Sequence, residues 1–475
     1  MKIITTHYIN GRFVESKGKE TFALTNPTNK KIIGQVTLGN EEDARDAIYA
    51  AKEAFKTYSN TTLTERSQYL QQLHDAIIAR ADEHVAIRTE EYGGVYRHSR
   101  SSIVGAARVF LNMKKSMNEI PFRKEIGLAA VNLRPLGVAG LITPWNSAIF
   151  MICNKVAPAL AAGCTVVIKP SELSALQVHL LLECFDAACL PPGVINLVYG
   201  RGDVVGNEIA TNPDVAKVSF TGSTAVGKLI MRNASETIKR VTLELGGKSA
   251  HIFLDDVDLK KAVPFALTAG FMNNGQACIA GTRVLVPEHM LNDVKSAFLE
   301  IVPKMKVGNP LDEDTVLGPM VSEKQYNRVQ SYIRKGIEEG ADILIGGEGH
   351  PEGLESGYFV KPTIFINVIN DMTIAREEIF GPVLSVITYK TEEEAIRIAN
   401  ESVYGLHCWI STTDPIRGKA VADHIEAGMV MVNDLFDLYD DAGVPAGGFK
   451  QSGIGREFGV YGIEEYLQTQ AVFPK

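Results

Sequence analysis

The stretch that decides the fold is "GVAGLITPWNSAIFMICNKVAPALAAGCTVVIKPSE", Gly137 to Glu172. "VAGLIT" and "CTVVIKP" are short apolar runs that predict buried strands, and "AIFMICNKVAPALAAG" between them predicts a helix. A strand, a crossover helix and a second strand form a parallel pair with a right-handed connection. We therefore expect a parallel sheet covered by helices, the general architecture of dinucleotide-binding domains.

The same alternation continues along the chain. It predicts strands at "VINLVYG", "VAKVSF" and "RVTLELGG", with helices at "SALQVHLLLECFDAAC" and "TAVGKLIMRNAS". From about Ser249 a second α/β pattern follows, including helices at "LKKAVPFALTAGFMNN" and "AVADHIEAG" (420–428) and a strand at "GMVMVND". Residues 41–92 predict helices, "FRKEIGLAAVNLRPLGV" predicts two short strands, and "YLQTQAVFPK" is suited to a sheet edge.

Composition narrows the class of protein. The chain has 475 residues, 45% hydrophobic and 22% charged, which is ordinary globular composition and enough for two or three domains. The net charge of −8 and the lack of a basic run argue against nucleic acid. No apolar stretch is long enough for a membrane span and no signal peptide is recognisable, so we expect a cytoplasmic protein. No CxxC pair occurs, which disfavours zinc, and we expect no metal.

One cysteine, Cys278, sits in the small-residue loop "NNGQACIAGTR", Asn273 to Arg283. The small neighbours leave room for a substrate to approach the sulfur. Free cysteine more often serves as a small buried apolar residue, and no histidine is near in sequence. The loop alone therefore leaves both interpretations open.

Glu244 lies within the apolar strand "LELGG", where a carboxylate is costly unless it is paired or functional. Burial would raise its pKa, which suits a general base. It also lies 22 residues after Gly222, near the spacing of a ribose-binding acid in a Rossmann fold. Spacing alone does not separate the two roles.

Three strand-to-helix junctions could bind polar groups. In "TPWNSA" the Asn146 amide could donate to an oxyanion or cap the helix. "FTGSTAVG", Phe220 to Gly227, could present backbone N–H groups to a phosphate or be a plain turn. In "IKPSE", Lys169 and Glu172 could bind ribose hydroxyls, or Ser171 could simply cap a helix.

Taken together, "PWN", "KPSE", "FTGST", "LELGGK", "GQAC" and "EEIFGPV" occur in the order of the NAD(P)-dependent aldehyde dehydrogenase superfamily, which this chain resembles over nearly its whole length. Glu244 and Cys278 are 34 residues apart, as that family requires. The resemblance implies an α/β fold of aldehyde dehydrogenase type: a Rossmann-type cofactor domain (1–117 and 137–246), an α/β catalytic domain (247–450), and a small β oligomerisation arm with the C-terminal tail (118–136 and 451–475). A homodimer or homotetramer would follow.

The resemblance also implies the chemistry. Cys278 would be the nucleophile that forms a thiohemiacetal with an aldehyde, Asn146 would hold the oxyanion, and Glu244 would activate the water that hydrolyses the thioester to a carboxylic acid. Lys155 would tune the thiolate or the proton path. The cofactor would be NAD, with NADP as an alternative, and its contacts would come from Thr143, Pro144, Trp145, Lys169, Ser171, Glu172, Gly202, Phe220, Gly222, Ser223, Gly227, Leu245, Gly246, Glu378 and Phe380. Glu244 argues against the related CoA-acylating enzymes, which lack that glutamate.

The chain departs from the family pattern in the implied substrate pocket, which would comprise Ser147, Phe150, Met151, Asn154, Ile279 and Ala446. Ser147, Asn154 and Ala446 stand where the family often has aromatic side chains, and "DLFDLYDDAG" (434–443) adds acid nearby. We therefore expect a polar or cationic aldehyde. "EYGGVYRHSR", Glu91 to Arg100, also departs from the family pattern, and the sequence gives no physical account of it. A cysteine hydrolase and a non-catalytic binding protein remain the alternatives.

Overall fold

The structure is a computed structural model, and it describes residues 1–435 and 443–473. Fifteen α-helices lie within these residues, and they are numbered in chain order: α1 Glu41–Tyr58, α2 Leu63–Ile78, α3 Ala81–Tyr92, α4 Tyr96–Met117, α5 Ala148–Ala162, α6 Ala175–Ala187, α7 Asn207–Thr211, α8 Thr224–Ser235, α9 Leu259–Phe271, α10 Leu291–Ile301, α11 Glu323–Glu338, α12 Thr373–Arg376, α13 Glu392–Asn400, α14 Pro415–Ala422 and α15 Gly459–Glu464.

The strands of the same residues are numbered likewise: β1 Lys2–Ile4, β2 Thr6–Ile9, β3 Arg12–Glu15, β4 Glu20–Thr25, β5 Ile32–Leu38, β6 Arg123–Ile126, β7 Ala129–Pro135, β8 Val138–Ile142, β9 Thr165–Lys169, β10 Ile195–Leu197, β11 Val215–Thr221, β12 Arg240–Glu244, β13 Ala250–Phe253, β14 Arg283–Pro287, β15 Asp342–Ile345, β16 Thr363–Ile366, β17 Val383–Tyr389, β18 Tyr404–Gly405, β19 His407–Ser411, β20 Met429–Val432, β21 Phe449–Lys450, β22 Gly453–Ile454 and β23 Leu467–Val472.

An eight-stranded sheet has the order β22-β12-β11-β8-β9-β10-β2-β3. The five strands from β12 to β10 are parallel, as the alternation of strands and helices predicts. Two antiparallel additions flank them, β22 on one side and the β2–β3 hairpin on the other. The chain leaves β8 for β9 on one side and later returns to β11 on the other. The carboxyl ends of β8 and β11 therefore border the crevice where ligands bind in such sheets.

A seven-stranded sheet follows the order β15-β16-β17-β14-β13-β19-β20, with only β15 antiparallel to its neighbour. The strand β14 begins at Arg283, directly after the cysteine loop. Buried side chains on both faces of the central strands form the apolar core of this part of the chain. The predicted α/β class with Rossmann-type sheets is therefore confirmed.

A third sheet, β23-β7-β6, includes the predicted pair of short strands and the predicted C-terminal edge strand. Ile126 and Leu128, at the turn between β6 and β7, are exposed. No helix in the described part of the chain has both the length and the apolar character to cross a bilayer.

One predicted helix was misplaced. We expected it over 420–428, whereas α14 begins at Pro415 and ends at Ala422. The Asp414 side chain accepts hydrogen bonds from the N–H groups of Ile416 and Arg417, and Pro415 occupies the first turn. An aspartate followed by proline is a strong helix start, and it outweighs the apolar spacing further along.

The buried Glu91 side chain joins helices α3 and α6, which gives part of the unexplained "EYGGVYRHSR" segment a structural role. It accepts hydrogen bonds from the backbone N–H groups of Leu176 (2.7 Å) and Gln177 (3.0 Å) and from the Gln177 amide (3.0 Å). These N–H groups lie in the first turn of α6, where no partner exists within the helix. Glu91 thus serves as a helix cap supplied from a distant part of the sequence.

We expect Glu91→Ala to lower the free energy of unfolding by roughly 2–3 kcal/mol, because buried N–H groups lose their acceptor. The shift of the urea denaturation midpoint measures this loss. Glu90→Ala, at the exposed neighbouring position, is the matched control and should leave the midpoint unchanged.

Burial raises the pKa of Glu91 to about 7. Because this pKa is raised above that of the unfolded chain, the stability that Glu91 contributes is lost as the pH rises through neutrality. Glu91→Gln does not ionise, so its stability relative to the wild type should improve from about pH 5 to about pH 8. A difference that stays constant over that range would contradict the raised pKa.

Candidate active site

Cys278 lies in the loop between α9 and β14, and the backbone before it takes an unusual path. Asn273, Asn274 and Gly275 have φ values of 53°, 61° and 72°, all in the left-handed region. Asparagine and glycine tolerate this conformation better than other residues. A side chain at Gly275 would lie 2.3 Å from the backbone carbon of Gly381, so only glycine fits there. The "NNG" sequence is therefore what lets the loop fold tightly before the cysteine.

A buried hydrogen-bond network holds this loop. Asn273 Nδ2 donates to the backbone oxygens of Asn146 (2.8 Å) and Gln276 (3.2 Å), while Arg88 donates to Asn273 Oδ1 (3.0 Å). The Tyr92 hydroxyl donates to the Asn273 backbone oxygen and accepts from Gln276 Nε2. Helix α3 thus holds the cysteine loop in place through the side chains of Arg88 and Tyr92. Sequence reasoning missed Arg88, Asn273 and Gln276 as a supporting set, because their partners are distant in the chain.

Asn146 faces the cysteine loop rather than the helix that follows it. Its Nδ2 donates to the Gln276 backbone oxygen at 2.9 Å. The residue at the N-cap position of α5 is Ser147, and it makes no capping hydrogen bond. The helix-cap interpretation of Asn146 is therefore not what the structure shows, and its amide lies beside the residues that carry the sulfur.

A cavity of about 540 Å³ opens at this loop. Cys278, Asn146 and Glu244 line it together, although they come from three separate elements. All of the predicted substrate-pocket residues line the same cavity: Ser147, Phe150, Met151, Asn154, Ile279 and Ala446.

A second cavity of about 290 Å³ borders the carboxyl ends of β8, β11 and β12. Cys278 and Asn146 line this cavity as well, so they stand between the two spaces. Glu244 lines only the larger one. Eight of the predicted cofactor residues line the second cavity: Pro144, Trp145, Gly222, Ser223, Leu245, Gly246, Glu378 and Phe380. Gln325 and Arg328 of α11 also line it, although no sequence motif pointed to either residue.

The other predicted cofactor residues lie outside both cavities. Lys169 Nζ is 3.4 Å from Glu172 Oε2, and Ser171 caps a short helical turn. Gly202 begins a single turn of π-helix with open space around it. Thr143 lies just after β8, and its backbone N–H donates to the Lys169 oxygen.

Phe220 and Gly227 have packing roles that the motif alone did not reveal. A side chain at Gly222 would lie 2.4 Å from the Phe220 ring, and one at Gly227 would lie 2.5 Å from Leu245. Gly227 is inside helix α8 and lets that helix approach Leu245 closely. Close packing of helix and strand is the role of the third glycine in Rossmann fingerprints.

The electrostatics of the site keep the sulfur protonated. Burial, followed by the negative charges of Glu378 and Glu244, raises the pKa of Cys278 to about 12. Burial and the neighbouring Glu457 raise the pKa of Glu244 well above its usual range, and Glu244 Oε1 is buried with no hydrogen-bond partner among the described residues. Burial also raises the pKa of Glu378 to about 7, although it accepts a 3.1 Å hydrogen bond from the Gly247 N–H group.

Lys155 and Glu457 form a buried ion pair close enough to Glu244 to influence its charge. Lys155 Nζ is 2.5 Å from Glu457 Oε1 and donates to Ser219 Oγ at 3.0 Å, and Asn154 Nδ2 donates to Glu457 Oε2 at 2.5 Å. Sequence reasoning missed Glu457, which follows a glycine-rich stretch and carries no signal in its neighbours. Asn154, expected to open the pocket, is engaged with this carboxylate.

The raised pKa of Cys278 gives a testable reactivity. In the protein without added ligand, alkylation by iodoacetamide should be slow at neutral pH and should rise roughly tenfold per pH unit up to about pH 10, because only the thiolate reacts. Mass spectrometry of the modified peptide measures the rate. The experiment uses the Cys189→Ser background, since Cys189 is exposed. A plateau below about pH 8 would contradict a high pKa for Cys278.

Comparison with known proteins places this site in a family. Residues 13–472 match the aldehyde dehydrogenase family model. A 3-succinoylsemialdehyde-pyridine dehydrogenase from a Pseudomonas species is 44% identical, with 98% of this chain and 97% of that protein covered. A crystal structure of an aldehyde dehydrogenase C variant from Pseudomonas syringae, in complex with NAD+ and octanal, has a TM-score of 0.97 at 41% identity and covers 99% of this chain and 96% of that one.

A second solved structure agrees with this placement. Betaine aldehyde dehydrogenase from Staphylococcus aureus, in complex with NAD+, has a TM-score of 0.96 at 36% identity and covers 98% of this chain and 94% of that one. The family match over nearly the whole chain and the two-cavity site around Cys278 lead to one conclusion: this chain belongs to the aldehyde dehydrogenase family.

Proposed function

We propose that this protein oxidises an aldehyde to a carboxylic acid with NAD+, using Cys278 as nucleophile and Glu244 as general base. One observation carries the proposal: Cys278 and Asn146 line both cavities, whereas Glu244 lines only the larger one. An aldehyde in the larger cavity and a cofactor in the smaller one would thus meet at the sulfur.

The residues of the second cavity fit NAD+. The Thr221 hydroxyl, in the lining of this cavity, is buried without a hydrogen-bond partner among the described residues, so a polar group is ready for a ligand. Gly222 and Ser223 precede helix α8, whose N-terminus favours a pyrophosphate. We assign the nicotinamide side to Glu378 and Phe380, and the remaining predicted contacts to the rest of the dinucleotide.

The choice of NAD over NADP rests on Lys169 and Glu172, which we assign to the adenosine ribose. A carboxylate at Glu172 would repel a 2′-phosphate, which favours NAD. NADP remains the alternative cofactor.

The first half of the reaction belongs to the cysteine loop. The Cys278 thiol gives up its proton to water, and the thiolate attacks the carbonyl carbon. The Asn146 amide and the Cys278 backbone N–H then donate to the oxyanion of the resulting thiohemiacetal. NAD+, when bound, supplies a hydride acceptor. Loss of hydride from the thiohemiacetal carbon leaves a thioester on Cys278.

The second half belongs to Glu244. Its buried carboxylate holds a proton more tightly than a surface carboxylate does, which suits it to remove a proton from the water that attacks the thioester. The Lys155–Glu457 pair lies behind it and offers a route by which that proton can leave. The position of Glu244 in the larger cavity supports the base over the ribose-binding alternative, because it does not line the second cavity.

We also propose an aldehyde with polar character, since Ser147, Asn154 and Ala446 replace common aromatic residues. Among the relatives, one is named for betaine aldehyde and another was crystallised with octanal. Most of the acidic segment 434–443 lies outside the described residues.

We also propose a division into domains and an oligomeric state. A cofactor domain (1–117 and 137–246), a catalytic domain (247–450) and an arm (118–136 with 451–475) account for the eight-stranded sheet, the seven-stranded sheet and the β23-β7-β6 sheet. The exposed Ile126 and Leu128 of the arm favour contact with another subunit in a homodimer or homotetramer. A cytoplasmic location remains the expectation.

Removal of one oxyanion donor should slow catalysis severely. We expect Asn146→Ala to lower kcat by about 100- to 1000-fold, because its amide stabilises charge that develops only in the transition state. Steady-state NADH absorbance measures this. Asn146→Asp, which keeps the shape but loses the donor, should be similarly impaired, and near-normal activity in both variants would contradict the role.

One experiment tests the function as a whole. The protein is mixed with NAD+ and a panel of aldehydes, and NADH is followed by absorbance. We expect NADH with the wild type and none with Cys278→Ala. Glu244→Gln should give at most a single burst of NADH, because the thioester then persists.

The other outcomes separate the alternatives. Ester cleavage that depends on Cys278 without NADH formation from any aldehyde would indicate a cysteine hydrolase. Cofactor binding without turnover of any aldehyde would indicate a binding protein. Turnover that survives in Glu244→Gln would argue that another group activates the water.

A further inference from the structure

The walls of the larger cavity are mainly apolar, and this limits the body of the substrate. Five methionines line it, accompanied by aromatic and branched side chains: Met151, Met272, Met305, Met429, Met431, Phe150, Phe271, Phe458, Trp409, Leu267, Leu406 and Leu435. Methionine side chains adapt to irregular shapes, so the cavity suits apolar bodies of varied outline. A fully polar aldehyde would leave most of this surface without a matching partner.

The described residues that line the larger cavity offer no charged side chain that could pair with a charged substrate. No lysine or arginine among the described residues lines the cavity, so an acidic substrate would find no counter-ion there. The two carboxyl groups are Glu244 and Glu457. Glu457 is engaged by Lys155 and Asn154, and burial raises the pKa of Glu244, which disfavours its charged form. The described wall therefore favours an uncharged ligand over a cationic one.

Helix α4 contributes a polar side chain, His98, which has no hydrogen-bond partner among the described residues. His98 and Ser101 lie three residues apart on one face of α4 and both line the cavity. The Ser101 hydroxyl already donates to the Arg97 oxygen, and the Thr268 hydroxyl, also in the lining, donates to the Pro264 oxygen. Of these two side chains of α4, His98 is thus the one that is left available to a ligand.

The His98 ring is neutral. Burial, aided by the nearby Arg88 guanidinium, lowers the pKa of His98 to about 3. A neutral imidazole offers one donor and one acceptor and no charge. It can therefore bind a hydroxyl, a phenol or a ring nitrogen, and it gives no electrostatic advantage to a carboxylate.

We propose that His98 is a specificity-determining residue that hydrogen-bonds an uncharged polar group on the body of an otherwise apolar aldehyde. The proposal rests on the proposed function. It narrows the expected polar or cationic aldehyde to a neutral one, and it gives the second half of "EYGGVYRHSR" a use. The aldehyde oxygen itself is assigned to Asn146 and Cys278, so His98 acts on a different part of the substrate.

The test uses two pairs of aldehydes that differ in one hydroxyl: benzaldehyde with para-hydroxybenzaldehyde, and hexanal with its omega-hydroxy derivative. For each pair the ratio of kcat/KM, hydroxylated over plain, is measured in the wild type and in His98→Leu. Intrinsic differences in aldehyde reactivity cancel when the two ratios are compared. We expect the ratio to fall about tenfold in the variant, mainly through a higher KM for the hydroxylated member.

Two further variants isolate the hydrogen bond. His98→Gln keeps a donor and an acceptor and should recover part of the ratio. Arg97→Leu, at the exposed neighbouring position, should leave the ratio at the wild-type value. Should His98→Leu fold poorly, the same comparison between His98→Gln and His98→Met decides the question.

An unchanged ratio in an active variant would overturn the role of His98 while leaving the proposed function intact. A kcat/KM for betaine aldehyde above those of all four neutral aldehydes in the wild type would also overturn it, in favour of a cationic substrate. Absence of NADH with every aldehyde would overturn the proposed function, and the role of His98 with it.

Discussion

The site depends on the hydrogen bonds of one side chain, Asn273. Its amide group binds the backbone oxygen of Asn146, in the turn between β8 and α5, and that of Gln276, in the loop before β14. Cys278 and Asn146, the proposed nucleophile and oxyanion donor, come from these two parts of the chain, so this amide joins them. Arg88 fixes the Asn273 oxygen in turn. Because all of these groups are buried, an unpaired partner would be costly, and the geometry is therefore strongly determined.

Candidate site residues could be predicted from the sequence where they directly follow a regular strand. Strand-to-helix junctions are visible as apolar runs followed by small or polar residues, which is why Asn146 and Gly222 were identified and line the expected cavities. The alternation of strands and helices gave the parallel sheets for the same reason. The family resemblance then assigned roles that spacing left open, such as that of Glu244.

Residues whose role depends on a distant partner were not recognisable. Glu457 contacts Lys155 across 302 positions, and Arg88 contacts Asn273 across 185. Nothing in the local pattern marks either one, because tertiary folding alone brings the partners together. The segment from Glu91 to Arg100 shows the same limit: its first residue caps helix α6 and its histidine faces the larger cavity, and neither role has a local signature.

The last strands of the chain pair with strands that are much earlier in the sequence. Strand β22 pairs with β12, whose last residue is Glu244, and β23 pairs with β7, while Glu457 between them meets Lys155. A chain emerging from the ribosome can therefore place Cys278 beside Asn146 while Lys155 still lacks its carboxylate. Because synthesis proceeds in chain order, the carboxylate partner of this buried lysine is made 302 positions after it, so the charge pairing near the site follows the placement of the cysteine loop.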